Sequence, residues 1–276
     1  MLYTPHMQDA RFKLIRIFSG LSLVGACMVL CACSTGELKP GAKSILDVFQ
    51  EPTVTDAAVW SIDPYDPDKR YRGTLLLANA PFGNEPVYIR MFADNARDED
   101  PGVRSAATRG LANHGTSEHI PIILERLKDT DTLVRIEAAR ALQRLHSPAA
   151  VGPLLDSLDA NKEPEVEVRA EVADALGQYA ENRVVDRLIQ TFEDENLSVN
   201  RTTLKSLKTL TGQDFGFDRA LWSDWNKSSK STFAARGVYM YPVFSRGKTW
   251  YEYVPFVPPP PNESSSTPAG LTPTSQ

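Results

Sequence analysis

Cysteine is scarce in this 276-residue chain, and its three copies, Cys27, Cys31 and Cys33, fall within seven residues near the N-terminus. None remains for a disulfide framework or a zinc cage elsewhere, so the rest of the chain must fold by packing alone. A basic excess is also missing. The formal net charge is −5, and it grows more acidic once residues 1–32, with Arg11, Lys13 and Arg16 against Asp9, are set aside. Nucleic acid, whose phosphates need a basic footprint, is therefore not an expected partner. The chain has no Gly-Lys-Ser/Thr phosphate loop, no Gly-x-Ser-x-Gly elbow and no His-Glu-x-x-His helix. Histidine is limited to four residues, of which His114, His119 and their neighbour Glu118 share one loop and read as solvated side chains. No metal, cofactor or catalytic residue is expected, and the chain is expected not to be an enzyme. What is not lacking is apolar material, at 42% of residues, which is enough for a real core and excludes disorder throughout.

The N-terminus has the order of an export signal. Arg11, Lys13 and Arg16 precede a 16-residue uncharged stretch, Ile17 to Ala32, that ends in small residues. The stretch closes with Leu30-Cys31-Ala32-Cys33, which resembles the lipobox of bacterial lipoproteins and implies lipidation at Cys33. A second match, Val24-Gly25-Ala26-Cys27, leaves a shorter apolar core. The uncharged run continues to Gly36, so an uncleaved spanning helix is the alternative. The resemblance implies a diacylglyceryl anchor at Cys33 and an exported, lipid-anchored protein. Ser34, rather than Asp, after the cysteine implies the outer membrane.

The middle of the chain repeats. Val103-Arg104, Val134-Arg135, Val168-Arg169 and Val199, the last followed by Asn200-Arg201, are spaced 31, 34 and 31 residues apart. Four residues after each Val stand Ala107, Ala138, Val172 and Thr203, and eight after it Leu111, Leu142, Leu176 and Leu207, which is one face of a helix. A second helix follows, with Ile120, Ile123, Leu124 and Leu127 recurring as Val151, Leu154, Leu155 and Leu158, then as Val185, Leu188, Ile189 and Phe192. Five residues before each Val is an acid: Asp98, Asp129, Glu163 and Asp194. Carried back 31 residues, the pattern predicts a degenerate first unit near residue 72, with Leu76, Ala80, Ile89, Phe92, Ala93 and Ala96 inward.

Acid, Val, Arg and two helices in about 31 residues resemble the HEAT repeat, particularly the short form of phycobilin-lyase-like proteins. The resemblance implies an all-α fold, a right-handed α-α superhelix of about four short repeats over residues 72–213. It further implies a ladder along the connecting loops made by Asp98, Asp129, Glu163 and Asp194 with Arg104, Arg135 and Arg169; Asn200 departs from the pattern, so the last rung requires Arg201 to substitute. Metal hydroxylases built on this repeat carry His-Glu pairs on several helices. Here the pair occurs once and reversed, as Glu118-His119. Lipobox, repeats and the Tyr241-Pro242-Val243-Phe244 segment together are similar to planctomycete HEAT-repeat lipoproteins, a group that lends no activity.

Flanking segments complete the expected organisation: signal peptide 1–32, spacer and N-terminal cap 33–71, aromatic-rich cap 214–257, and a disordered Pro/Ser/Thr tail 258–276. Residues 215–256 hold half of the chain's aromatics. Trp222 and Trp225 fit a final helix, and Tyr239–Phe244 with Lys248–Phe256 read as a hairpin. Two functions from different classes follow. In one, the second helices line a concave face whose Glu125, Arg126, Asp156, Asp186, Arg187 and Gln190 meet a protein partner. In the other, Trp222, Trp225, Trp250 and Tyr251 form a platform for envelope polysaccharide.

Overall fold

The computed structural model describes residues 52–243, 247–254 and 264–271, so the expected leader, Cys33 and the short amphipathic stretch at 44–50 lie outside the described residues. Among the described residues, eleven α-helices and short 3-10 turns make up the regular structure. The first, α1, spans Val54–Trp60. Four helix pairs follow: α2 (Pro67–Ala78) with α3 (Pro86–Asn95), α4 (Pro101–His114) with α5 (Ile120–Arg126), α6 (Thr132–Arg144) with α7 (Val151–Ser157), and α8 (Val166–Leu176) with α9 (Asn182–Thr191). A fifth first helix, α10 (Leu197–Thr211), and a final helix, α11 (Arg219–Ser228), close the array.

Local chemistry sets where the first helices begin. Asp66 accepts from the Lys69 amide, Asp100 from that of Val103, and Asp131 from those of Leu133 and Val134. Pro67 and Pro101 stand in the first turn, where a missing N–H costs nothing. The repeated apolar positions then form the core. All four Val and all four Leu of the first-helix pattern are buried, as are Ile123, Leu154 and Leu188 of the second helices. First helices pack directly on one another, α2 on α4 and so on to α10, and each second helix packs chiefly on the first helix of the following unit, α3 on α4, α5 on α6, α7 on α8 and α9 on α10.

The first unit departs from the expected register. Leu77, 34 residues before Leu111, is fully buried, whereas Leu76 is 42% exposed. The three additional residues lie in the turn between α2 and α3, so the second helix keeps its 31-residue spacing and Phe92 and Ala96 are buried as expected. Close approach holds this end together. α1 crosses α2 at Gly73, where a Cβ would run into the Ala57 carbonyl oxygen and the Ser61 amide. The Phe92 ring lies against Gly110, within 2.6–2.8 Å of where a Cβ would stand.

The loops between units carry a continuous charge ladder. Arg104 grips Asp129 with two bonds of 2.8 and 2.7 Å, and Arg135 grips Glu163 with two of 2.7 and 3.0 Å. Arg169 donates to Asp194 at 2.9 Å. The third guanidinium nitrogen turns back to the carbonyl of its own unit's acid: Arg104 to Asp98, Arg135 to Asp129 and Arg169 to Glu163. Each acid also accepts the amide two residues on, at Asp100, Asp131, Glu165 and Asn196. One rung was not anticipated: Arg70 binds Asp98 with two bonds and reaches the Asp63 carbonyl. At the other end Asn200 reproduces only the inward half, donating to the Asp194 carbonyl. Burial alone pushes the Asp129 carboxyl up, but Arg104 and the Asp131 amide outweigh it and hold it below the usual carboxylate range.

Two C-terminal expectations are corrected. Among the described residues no hairpin pairing is seen: Tyr241 donates its amide to the Ser266 carbonyl, and Trp250–Tyr253 is a 3-10 turn. The alternating aromatics mark an extended segment whose backbone partners lie elsewhere in the chain. Nor is all of the 258–276 tail free. Ala269 donates to the Arg144 carbonyl and accepts from the His146 amide, both at 2.8 Å, forming a parallel bridge with Leu145. Hydrogen bonds offered by the frayed end of α6 hold a segment whose own composition would not order it.

Arg135→Ala leaves the 6%-exposed Glu163 side chain without its cation. It is expected to cost about 2–3 kcal/mol in chemical denaturation, between the ~0–1 of an exposed pair and the ~3–5 of a fully buried broken one. Leu142→Ala, in the core, is expected to cost ~2–5 kcal/mol. An Arg135→Ala loss larger than that of Leu142→Ala would place the main stability in the loops.

Candidate functional site

Two faces of the stack offer chemistry, and they differ in how their charges are used. On the second helices Glu125, Asp156 and Gln190 occupy one position of three successive units, and all three are exposed. The other candidates on this face, and Asp156 itself, are partly tied down. Arg126 reaches Asp129 at 3.2 Å and is only 17% exposed. Arg187 pairs with Asp159 of the preceding unit at 3.2 Å, Asp156 with Lys162 at 2.5 Å, and Asp186 accepts from Asn226 of α11 at 2.7 Å. The row therefore presents mixed polarity, with an exposed polar group at equivalent steps.

The first-helix face is cross-linked from unit to unit. Arg109 of α4 binds Glu137 of α6 at 2.6 Å, Arg140 joins Glu137 to Glu171 of α8, and Lys205 of α10 binds Asp174 at 2.6 Å. Gln143 holds Glu171, and Arg144 donates to Asn113 at 2.8 Å. A cleft of about 370 Å³ opens here, lined by Arg109, Asn113, Glu137, Arg140 and Arg144 together with Pro242 and Val243. Sequence reasoning missed this face, because its residues lie outside the Val-Arg-Leu pattern. The available signal was a polar residue recurring at matched positions of the first helices, as at Arg109 and Arg140.

The C-terminal aromatics divide. Trp222 is fully buried, with its Nε1 donating to the Gly216 carbonyl at 2.8 Å, and it meets Phe215 and Trp225 edge to face. Phe217 packs against Phe192 at the end of α9. Trp250 and Tyr253, by contrast, are 83% and 73% exposed on one short turn. The Tyr251 side chain is not among the described ones.

The loop histidines have local roles. His119 Nδ1 accepts from the Thr116 amide at 3.2 Å, while His114 Nε2 donates to the Ala78 carbonyl at 3.0 Å and its ring stacks on Phe92. His146 lies 4.8 Å from Tyr179, ring to ring. Among the described residues no three His, Cys, Asp or Glu side chains are grouped to hold a metal ion. Burial, partly offset by the Ala78 hydrogen bond, holds the His114 pKa below its ordinary 6.5. The unfolded chain then takes up the proton first, and this contribution to stability declines as pH falls through about 6.5 towards the folded pKa. His114→Gln keeps a donor without a titrating ring and is expected to flatten the melting temperature between about pH 7 and 5. An unchanged slope would assign the titration to another group.

A family model described as HEAT repeats matches residues 89–167, from α3 into α8. Two curated proteins named Deoxyhypusine hydroxylase, from Drosophila pseudoobscura pseudoobscura and Drosophila melanogaster, are 35% and 34% identical over 104 residues. These are 38% of this chain and 34% of each relative, so the chain spans about a third of the length of the curated relatives it matches. The expectation of a chain that is not an enzyme is corrected by these matches, since the relatives sharing its repeats are named for an enzyme. The absence of familiar catalytic motifs could not decide the point, because repeat periodicity reports packing and not chemistry. Among solved structures, an engineered protein matches with TM-score 0.44 and 18% identity over 57% of this chain and 78% of that one. The complex of CpcE and CpcF of phycocyanin lyase from Nostoc sp. matches with TM-score 0.39 and 18% identity over 64% and 81%. The helix pairs from α2 to α10 form a helical-repeat solenoid, of which residues 89–167 match the HEAT-repeat model.

Proposed function

We propose that the solenoid is a scaffold that binds a protein partner in the cell envelope, where lipidation of Cys33 holds it at a membrane, by the Ser34 signal the outer one. The observation that carries the reading is the row Glu125, Asp156 and Gln190: three exposed side chains, one per unit, at a position where the core needs none of them. Such a row meets an elongated partner at regular steps, and its two carboxylates and one amide set register and specificity more than raw affinity. Anchoring is supported by Leu30-Cys31-Ala32-Cys33 following a basic and then an uncharged stretch. A diacylglyceryl group with an N-acyl chain meets the requirement of more than one chain for stable attachment. A second reading, a polysaccharide contact, is favoured by the exposed Trp250 and Tyr253 on one turn.

Fatty-acid labelling is expected to mark the wild-type protein and to fail with Cys33→Ala. Label lost instead with Cys27→Ala would move the anchor, and label indifferent to both would make the segment a spanning helix. For the partner surface, Glu125→Lys, Asp156→Lys and Gln190→Lys combined are expected to abolish the cross-linked adduct formed in the host envelope while moving the melting temperature by less than ~2 °C, because exposed substitutions change stability little. An adduct of undiminished yield would remove the second-helix row from the binding surface.

A further inference from the structure

The C-terminal segment lies on the solenoid as a bound peptide lies on its receptor. From α11 it turns back across the first helices in reverse order. The Gly237 amide donates to the Thr209 carbonyl of α10 at 2.8 Å, and Arg236 donates to the Gln178 carbonyl beyond the end of α8 at 3.0 Å. The Tyr239 hydroxyl donates to Asp174 of α8 at 2.9 Å, and the Tyr241 ring receives the Arg144 guanidinium of α6 at 5.0 Å. Pro242 and Val243 then form one wall of the cleft that reaches Arg109 and Asn113 of α4.

Exposure along the segment alternates. Val238 and Met240 are 67% and 48% exposed, Tyr239 is 3% exposed, and Tyr241 and Val243 are half-buried on either side of an exposed Pro242. A period of two is that of an extended strand reading a surface with every second side chain. The two tyrosine slots select differently. Asp174, itself almost fully buried, accepts from Lys205 and from the Tyr239 hydroxyl, so the first slot calls for an aromatic ring with a donor at its tip. The second slot offers a cation to a ring face. Outside the array's register, these contacts come from side chains and the Gly237 backbone bond rather than from a packed helix.

We propose that this first-helix face is a docking track for an extended partner segment bearing tyrosine, or another aromatic with a hydroxyl, followed two residues later by a second aromatic ring, and that residues 236–243 occupy the track until such a segment displaces them. The proposal deepens the scaffold reading by naming a partner class and its control. It uses the first-helix face alone and is independent of the Glu125, Asp156 and Gln190 row.

The test uses the full chain and a labelled synthetic peptide of residues 233–243. Tyr239→Ala with Tyr241→Ala weakens the resident segment and leaves the track intact. This double variant is expected to bind the peptide at least tenfold more tightly than the wild type does. A peptide with Ala at both tyrosine positions is expected not to bind, and one with Phe in place of Tyr239 to bind several-fold more weakly. A second form of the full chain carries a protease site between Lys230 and Ser231, cut after folding, and covers the case in which the double variant melts early; excess peptide is expected to displace the cut C-terminal fragment. Equal peptide affinity for wild type and variant, or a cut fragment that the peptide does not displace, would make the segment a structural cap and overturn the proposal. Either failure leaves the second-helix row, judged by its own lysine variants, unaffected.

Discussion

Each guanidinium of the loop ladder does two jobs at once: it holds the carboxylate of the next unit, with two nitrogens at Arg70, Arg104 and Arg135 and with Nε at Arg169, and another nitrogen holds a carbonyl of its own unit. A solenoid has no sheet to register its parts, and every unit meets only its neighbours. Apolar helix faces alone allow a sliding error between units, because methyl groups have no direction. The planar fork of arginine has one, and it fixes which loop stands over which. With their side chains 4–13% exposed and every acid also accepting a backbone amide, these pairs replace lost hydration by several directed bonds each. That is the condition under which a desolvated pair holds its place.

The ladder also explains how unequal units coexist. Spacing along the chain alternates between 31 and 34 residues, yet each acid stands six or seven residues before the arginine or asparagine of its own unit. Insertions fall in the connection before Glu163 or in the turn between α2 and α3, outside that short interval. At its ends the array is closed by different means. α1 is pressed onto α2 across Gly73, while Asn200 leaves no cation to seek an absent carboxylate and α11 brings Trp222 and Trp225 against α9 and the final core.

The two faces follow from the same geometry. First helices are longer and pack on one another, so their polar residues bond across units and the returning C-terminal segment finds a continuous surface. Second helices chiefly meet the first helix of the following unit on one side, and Glu125, Asp156 and Gln190 on the other stay exposed at regular steps. Burial pushes the Tyr239 hydroxyl well above its ordinary pKa, with Asp174 adding to the effect, so the group that ties the segment to α8 stays a donor across the physiological range.

Periodicity in the sequence determined the helix pairs, the inward Val and Leu positions and the acid and arginine of each complete unit, because packing repeats demands the same residue type at the same place. Arg70 and the register of α2 escaped it: the first spacing is 34 residues, the preceding residue is Lys69 and not Val, and an extrapolation of 31 lands three residues late. Only the tertiary structure decided the course of the C-terminal residues. Their partners, Thr209, Asp174, Arg144 and Leu145, lie tens of residues away and come from different units, so no local pattern encodes them. A strand-like alternation in the sequence states that a segment is extended; which surface it reads depends on what the fold places beneath it.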